Sequence, residues 1–232
     1  MKHIVSFSGG KDSTAMLLMM IEKSMQIDDI IFCDTTKEFP DMYKHIEKVK
    51  EFINPLKITT LSFDFDYWFG ERIKTKGKFK NEVGYGFPNM MNRWCTALKR
   101  DTIKKYLKKY KSCIKYYGIA IDEKERCNKN NSKEIIKYPL VKWKITEKQA
   151  LQYCYNKGFN WNELYNDFKR VSCYCCPLSN LKELKNLYLK YPVLWNKLKA
   201  MQQKSCRKFK NNKTVDEIEM RFKKEEKQLK LF

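Results

Sequence analysis

The stretch Ile4-Val5-Ser6-Phe7-Ser8-Gly9-Gly10-Lys11-Asp12-Ser13-Thr14 decides the fold. A β-branched run ends in Ser-Gly-Gly-Lys-Asp-Ser, and an apolar run from Ala15 to Ile21 follows. That order reads as strand, tight glycine turn, helix. Such a turn gathers backbone N–H groups and a helix N-terminus at one point, which favours phosphate. Gly9 and Gly10 let the backbone approach an anion with no Cβ in the way. Ser8 and Ser13 add hydroxyl donors, and Lys11 offsets phosphate charge or points to solvent. Asp12 repels phosphate, so the reading places a Mg²⁺ ion between the two. The commoner Walker phosphate loop fails twice: Asp12 follows Gly10-Lys11 where Ser or Thr belongs, and Val5 stands where its first Gly belongs.

Working outward, strand-like segments cover residues 3–8, 29–34, 57–63, 113–121 and 135–140. Helical patterns at 14–23, 41–53 and 93–110 separate them. This alternation implies an α/β fold, a doubly wound, mostly parallel five-stranded sheet covered on both faces. Ligands of such sheets bind beyond the carboxyl ends of the strands. The glycine turn, Asp34 to Glu38 and Asp122 to Arg126 all fall at such ends. Residues 1–140 are therefore read as a nucleotide-binding domain, and 141–232 as a helical, cysteine-bearing region packed on it. Helices there are expected at 146–157, 180–190, 193–209 and 214–231, with capping-box spacing at Thr146/Gln149 and Thr214/Glu217. Residues 74–92 mix Lys, Gly and aromatics without a period, and read as a long mobile loop: a lid over the crevice, a contact for a polyanion, or a solvated surface.

Lys plus Arg number 48 against 27 Asp plus Glu, for a net charge of +21. That field favours polyanions such as RNA or DNA, although Lys and Asn abundance is also what an AT-rich genome encodes. Nothing resembles a signal peptide or a membrane span, so the expected location is cytoplasmic with no membrane partner. Nine cysteines in such a chain argue against a disulfide framework. Cys33, Cys113 and Cys154 sit in apolar stretches and are expected to pack. Ser172-Cys173-Tyr174-Cys175-Cys176-Pro177 is different: Cys173 and Cys176 have the spacing that clasps one metal. With Cys95 they make three thiolates, and Cys175 or Cys127 is the fourth, a set suited to zinc or an iron–sulfur cluster. His3 reads as a core strand residue and His45 as a helix-surface residue, so no histidine-based triad is expected.

Ser-Gly-Gly-Lys-Asp-Ser after a strand resembles the pyrophosphate loop of the adenine nucleotide α-hydrolase superfamily. Asp34-Thr35-Thr36-Lys37-Glu38-Phe39-Pro40 is similar to the Asp-Thr-Gly-x-Glu-x-Pro segment of the phosphoadenosine phosphosulfate (PAPS) reductase branch, with Thr36 in place of Gly. Arg93-Trp94-Cys95 followed by Lys99 resembles that branch's Arg-Trp-Cys…Lys element. Gly118 to Arg126 resembles its Gly-x-Arg-x-x-Glu-x-x-Arg pattern, with Glu123 and Arg126 in place and Ala120 where an arginine stands. Adjacent cysteines resemble the cluster-binding pair of adenylylsulfate reductases. The resemblance implies an adenine nucleotide site at Ser8, Gly9, Gly10, Lys11, Asp12, Ser13, Asp34, Thr35, Glu38 and Glu123, with Lys11, Asp12, Arg93 and Arg126 catalytic. It implies ATP with Mg²⁺, or PAPS or adenylylsulfate, and a cluster (or Zn²⁺) on Cys95, Cys173, Cys175 and Cys176. The Glu-Cys-Gly-x-His tail of true PAPS reductases is not found, since the last cysteine is Cys206 and the sequence ends Gln228-Leu229-Lys230-Leu231-Phe232. The expected activity is adenylyl transfer from ATP with pyrophosphate release, activating an acceptor such as a tRNA or DNA base, with a sulfur donor protein as a further partner. The alternatives are a sulfonucleotide reductase using an atypical or external thiol, and a non-catalytic nucleotide- or nucleic-acid-binding module.

Overall fold

Five short runs of mostly apolar residues form the strands β1 (Lys2–Ser6), β2 (Asp29–Asp34), β3 (Ile58–Ser62), β4 (Cys113–Tyr117) and β5 (Ile135–Lys137). The structure is a computed structural model and describes residues 1–129, 135–210 and 212–229. All neighbouring strands pair in parallel, in the order β3-β2-β1-β4-β5. β2 is buried along nearly its whole length, which is why Asp29-Ile-Ile-Phe-Cys-Asp34 reads as a continuous apolar run rather than an alternation. The winding direction reverses between β1 and β4, so the ends of these two strands bound the crevice in which doubly wound folds hold their ligands.

Helices α1 (Lys11–Glu22), α2 (Pro40–Phe52), α3 (Trp94–Leu107), α4 (Pro139–Lys142), α5 (Glu147–Asn156), α6 (Leu164–Asp167), α7 (Leu181–Lys190), α8 (Pro192–Lys204) and α9 (Val215–Leu229) follow in chain order. α1 is buried almost all round, and α5 packs against it. That burial accounts for its unbroken Ala-Met-Leu-Leu-Met-Met-Ile run. β4 stops four residues before the expected end because the chain turns at Gly118 and Ile121–Lys129 winds into a 3-10 segment. β5 stops at Lys137 because Pro139, with no N–H to give a ladder, opens α4 instead.

The chain groups into two compact units, and the boundary is not the expected one at residue 140. The α/β unit comprises residues 1–34, 38–62 and 99–166; the cysteine unit comprises 35–37, 63–98 and 167–232. α4 and α5 thus belong with the sheet, whereas 63–98 belongs with the C-terminal helices. The core of the cysteine unit is aromatic. Phe87 meets Phe69 at 5.0 Å and Phe209 at 4.9 Å between ring centroids, and Trp94 meets Phe65 at 5.0 Å. Residues 74–92 are not a free loop. Tyr85 and Gly86 donate backbone N–H to the carbonyls of Trp68 and Phe69, Lys74 is buried against Glu82 at 2.8 Å, and Ile73 bridges Val83. In the same unit α8 and α9 are tied through Glu219, which accepts from Trp195 at 2.9 Å and pairs with Lys199 at 2.8 Å and Lys223 at 2.5 Å. Burial pushes this carboxyl up, but those donors outweigh it and hold it at about 2. The end of the Gln228 to Phe232 stretch lies outside the described residues. Among the described residues, no helix is long and apolar enough to cross a membrane.

Candidate functional site

The glycine turn has the predicted form. β1 ends at Ser6, and α1 begins at Lys11 with Gly10 as an N-cap that makes no side-chain capping bond. Gly9 sits at φ +77°, and a Cβ there would lie 2.6 Å from Met42 Sδ, so only glycine fits the bend. Ser8 Oγ and Ser13 Oγ are 2.9 Å apart, Ser8 N–H donates to Ser13 Oγ, and Gly10 N–H points to Ser8 Oγ at 3.4 Å. The two hydroxyls and the start of α1 thus converge on one spot. The chain leaving β4 touches the same place: a Cβ on Gly118 would be 2.7 Å from the Ser13 backbone.

Lys11 is not turned to solvent. Its side chain is 7% exposed, with Nζ 3.3 Å from Asp12 and 3.4 Å from Glu147, over the Tyr165 ring at 5.6 Å. Asp12 is left with one buried oxygen, Oδ1, that has no hydrogen-bond partner. Burial pushes its carboxyl up; Lys11 opposes this, and Glu147 and Asp122 reinforce it. A buried carboxylate oxygen without a donor, next to further carboxylates, suits a hard divalent cation such as Mg²⁺.

At the end of β2, Asp34 accepts from Tyr43 at 2.8 Å, and the buried Glu38 pairs with Lys99 at 3.2 Å. Glu123 and Arg126 pair with each other across one turn of the 3-10 segment. Thr35 and Arg93 fall in the cysteine unit; Arg93 is exposed and donates to Met90 Sδ at 3.2 Å. Thr36 adopts φ +62°, so the turn keeps the shape a glycine would give it.

Cys95, Cys173, Cys175 and Cys176 all belong to the cysteine unit, while Cys127 belongs to the α/β unit. The four do not form one centre. Cys173 Sγ lies 3.1 Å from Thr35 Oγ1, and Cys175 is buried. The thiol of Cys176 is pushed up mainly by burial and further by Cys95, while a Leu178 backbone N–H, Lys210 and Ser172 pull it down. Among the described residues, no three His, Cys, Asp or Glu side chains come together as a metal ion requires. In this arrangement the thiols do not fit zinc or a cluster.

Residues 2–179 match the phosphoadenosine phosphosulfate reductase domain. The chain belongs to that family. An uncharacterized protein of Methanocaldococcus jannaschii is 28% identical over 206 residues, covering 84% of this chain; the chain spans 40% of that relative's length. The U34-tRNA thiolase NcsA of Methanococcus maripaludis, solved with its 4Fe–4S cluster, is 16% identical with a TM-score of 0.43, covering 87% of this chain and 71% of that one.

Two residues of this PAPS reductase-type domain escaped the sequence reading, and a third was misplaced by it. Trp161 Nε1 donates to the Gly9 carbonyl at 2.8 Å, and Tyr165 OH accepts the Lys11 N–H at 2.7 Å. His45, expected on a helix surface, is buried: it stacks on Trp161 at 4.2 Å, and its Nε2 is 3.1 Å from Thr14 Oγ1. Burial, aided by Lys48, lowers its pKa to about 3, so the ring is neutral. The one available signal was aromatic residues in an otherwise polar stretch, Asn160-Trp161-Asn162-Glu163-Leu164-Tyr165.

Proposed function

We propose that this PAPS reductase-family chain transfers the adenylyl group of ATP to an acceptor and releases pyrophosphate. The observation that carries the reading is the convergence of Ser8 and Ser13 hydroxyls at the N-terminus of α1, on a turn that only glycine allows. Phosphate oxygens accept from these hydroxyls and from the backbone of the turn, and the helix dipole favours their charge. Asp34, at the end of β2, is suited to the ribose hydroxyls. Asp12 Oδ1 would hold Mg²⁺, whose charge offsets that of the leaving pyrophosphate. An acceptor oxygen forms a bond to the α-phosphorus, the bond to the bridging oxygen breaks, and pyrophosphate takes the electron pair. Catalysis here is positional and electrostatic. Lys11 acts inward, offsetting the charge of Asp12 and Glu147 rather than that of the nucleotide. The net charge of +21 supports a nucleic-acid base as acceptor. No step is routed through the cysteines, because their thiols do not converge.

The test is incubation with α-labelled ATP, Mg²⁺ and RNA or DNA. Pyrophosphate release with label on the nucleic acid is expected, and absence of both with every acceptor sinks the reading. Sulfonucleotide reduction is a second reading, favoured by the family and by Cys206, the one exposed thiol among the described residues. Sulfite release from PAPS with thioredoxin, lost in Cys206→Ser, would decide for it.

A further inference from the structure

Glu147 opens α5 and is fixed there from two directions. Its N–H donates to both carboxylate oxygens of Asp122, at 3.1 and 3.2 Å, and Thr146 and Gln149 close a capping box around it. One face of α5 then meets Lys11 twice. Cys154, two turns along the helix from Glu147, donates its thiol to the Lys11 carbonyl at 3.5 Å, and the Glu147 carboxylate stands 3.4 Å from Lys11 Nζ. Asp12, Asp122 and Glu147 all belong to the α/β unit.

The Lys11 ammonium is nearly equidistant from two carboxylates, 3.3 Å from Asp12 Oδ2 and 3.4 Å from Glu147 Oε2. An ammonium that closes on a single carboxylate sits at about 2.7–2.9 Å. Lys11 is therefore shared and closes on neither. Asp12 keeps its other oxygen, Oδ1, buried without a hydrogen-bond partner. Mg²⁺ takes one or two carboxylates and keeps several waters, so a single free carboxylate oxygen is a sufficient protein contact. Among the described residues, no three His, Cys, Asp or Glu side chains come together as metal ligands. Glu147 thus acts on the ion through Lys11 rather than by binding it.

We propose that Glu147 is a positioning residue for the cation at Asp12: by sharing Lys11 it stops the ammonium from closing on Asp12, and it leaves that carboxylate to Mg²⁺. The proposal rests on the adenylyl-transfer reading only in taking Asp12 as the residue that holds the ion. Without the charge of Glu147, Lys11 has one carboxylate left to pair with and competes with the ion for it.

The experiment titrates Mn²⁺, in place of Mg²⁺, into the full chain with and without α,β-methylene-ATP, and follows the EPR signal of the free ion. Glu147→Gln is expected to weaken Mn²⁺ binding about tenfold, the low end for a residue that acts through another. Adding Lys11→Met to Glu147→Gln removes the competing ammonium and is expected to restore the wild-type affinity. Asp122→Asn removes one nearby negative charge and leaves both Lys11 pairs in place, so it is expected to cost less than Glu147→Gln. Thermal melts establish which variants fold, and the comparison with Asp122→Asn stands without the double variant. Unchanged affinity in Glu147→Gln overturns the proposal. So does a folded double variant that stays as weak as Glu147→Gln, or an equal loss in Asp122→Asn. A wild-type chain that takes up no Mn²⁺ under either condition overturns it together with the assignment of Asp12. The expected Mn²⁺ pattern without any pyrophosphate release from ATP sinks the adenylyl-transfer reading alone. Pyrophosphate release with Mn²⁺ affinity untouched by Glu147→Gln sinks the positioning role alone.

Discussion

Thr36 is a β-branched residue at φ +62°, where the related motif has glycine. Left-handed backbone at a non-glycine residue costs about 1–3 kcal/mol, and replacement by glycine returns part of that gain as unfolded-state entropy. Thr36→Gly is therefore expected to raise stability by about 1 kcal/mol, read as a higher denaturant midpoint with unchanged slope. A lower midpoint would mean that the Thr36 side chain contributes more than its backbone costs. His45 carries the second prediction at this scale. Its folded pKa lies near 3 against an ordinary 6.5. Between those values the unfolded chain binds the extra proton, so stability falls as the pH drops from 6.5 toward 3. One such proton amounts to about 1.4 kcal/mol per pH unit. Between pH 6.5 and 5, where most carboxylates stay ionised, His45→Gln should flatten the decline by about 2 kcal/mol. A His45 ring that titrates near 6.5 by NMR would defeat this account.

Trp161, Asn162 and Glu163 are three consecutive residues with positive φ, at +52°, +50° and +64°. This turn delivers Trp161 to the Gly9 carbonyl and leads into Tyr165 under the Lys11 N–H, so it braces the phosphate loop from both sides of Gly10. Tyr165→Phe leaves a buried N–H unpaired, at a cost of about 1–3 kcal/mol. It should also weaken ATP–Mg²⁺ binding, measured by calorimetry. Leu107→Ala, in the cluster with Ile4 and Ile31, is the control: it should destabilise comparably and leave nucleotide affinity unchanged. Equal affinity loss in both variants would reduce the brace to general stability. Elements with a local signal were legible in the sequence. β2 has the expected ends, and α5 begins at the capping box of Thr146 and Gln149. The left-handed turn was not legible, because Trp161 and Glu163 carry no sign of positive φ. The π-helical turn Tyr67–Glu71 and the 3-10 segment were missed because neither sustains a 3.6-residue period. Residues 74–92 looked free because their hydrogen-bond partners at 68–69 are read from main chain, which a sequence does not display.

The chain does not change from one unit to the other at a single point. Thr35–Lys37 leaves the α/β unit and 38–62 returns to it, and Phe87 finds its ring partner Phe209 more than a hundred residues later. Composition along the sequence cannot show such an exchange, and this is why the boundary at 140 failed while the parallel five-stranded sheet followed from the β-α alternation. The phosphate loop and the turn that braces it both fall in the α/β unit. Hydrogen exchange read by mass spectrometry tests that placement, since a ligand slows exchange where it holds the backbone and withholds opening. ATP with Mg²⁺ should slow residues 7–13 and 161–165, the loop and its brace. Protection by ATP confined to the cysteine unit would remove the phosphate loop from the nucleotide site.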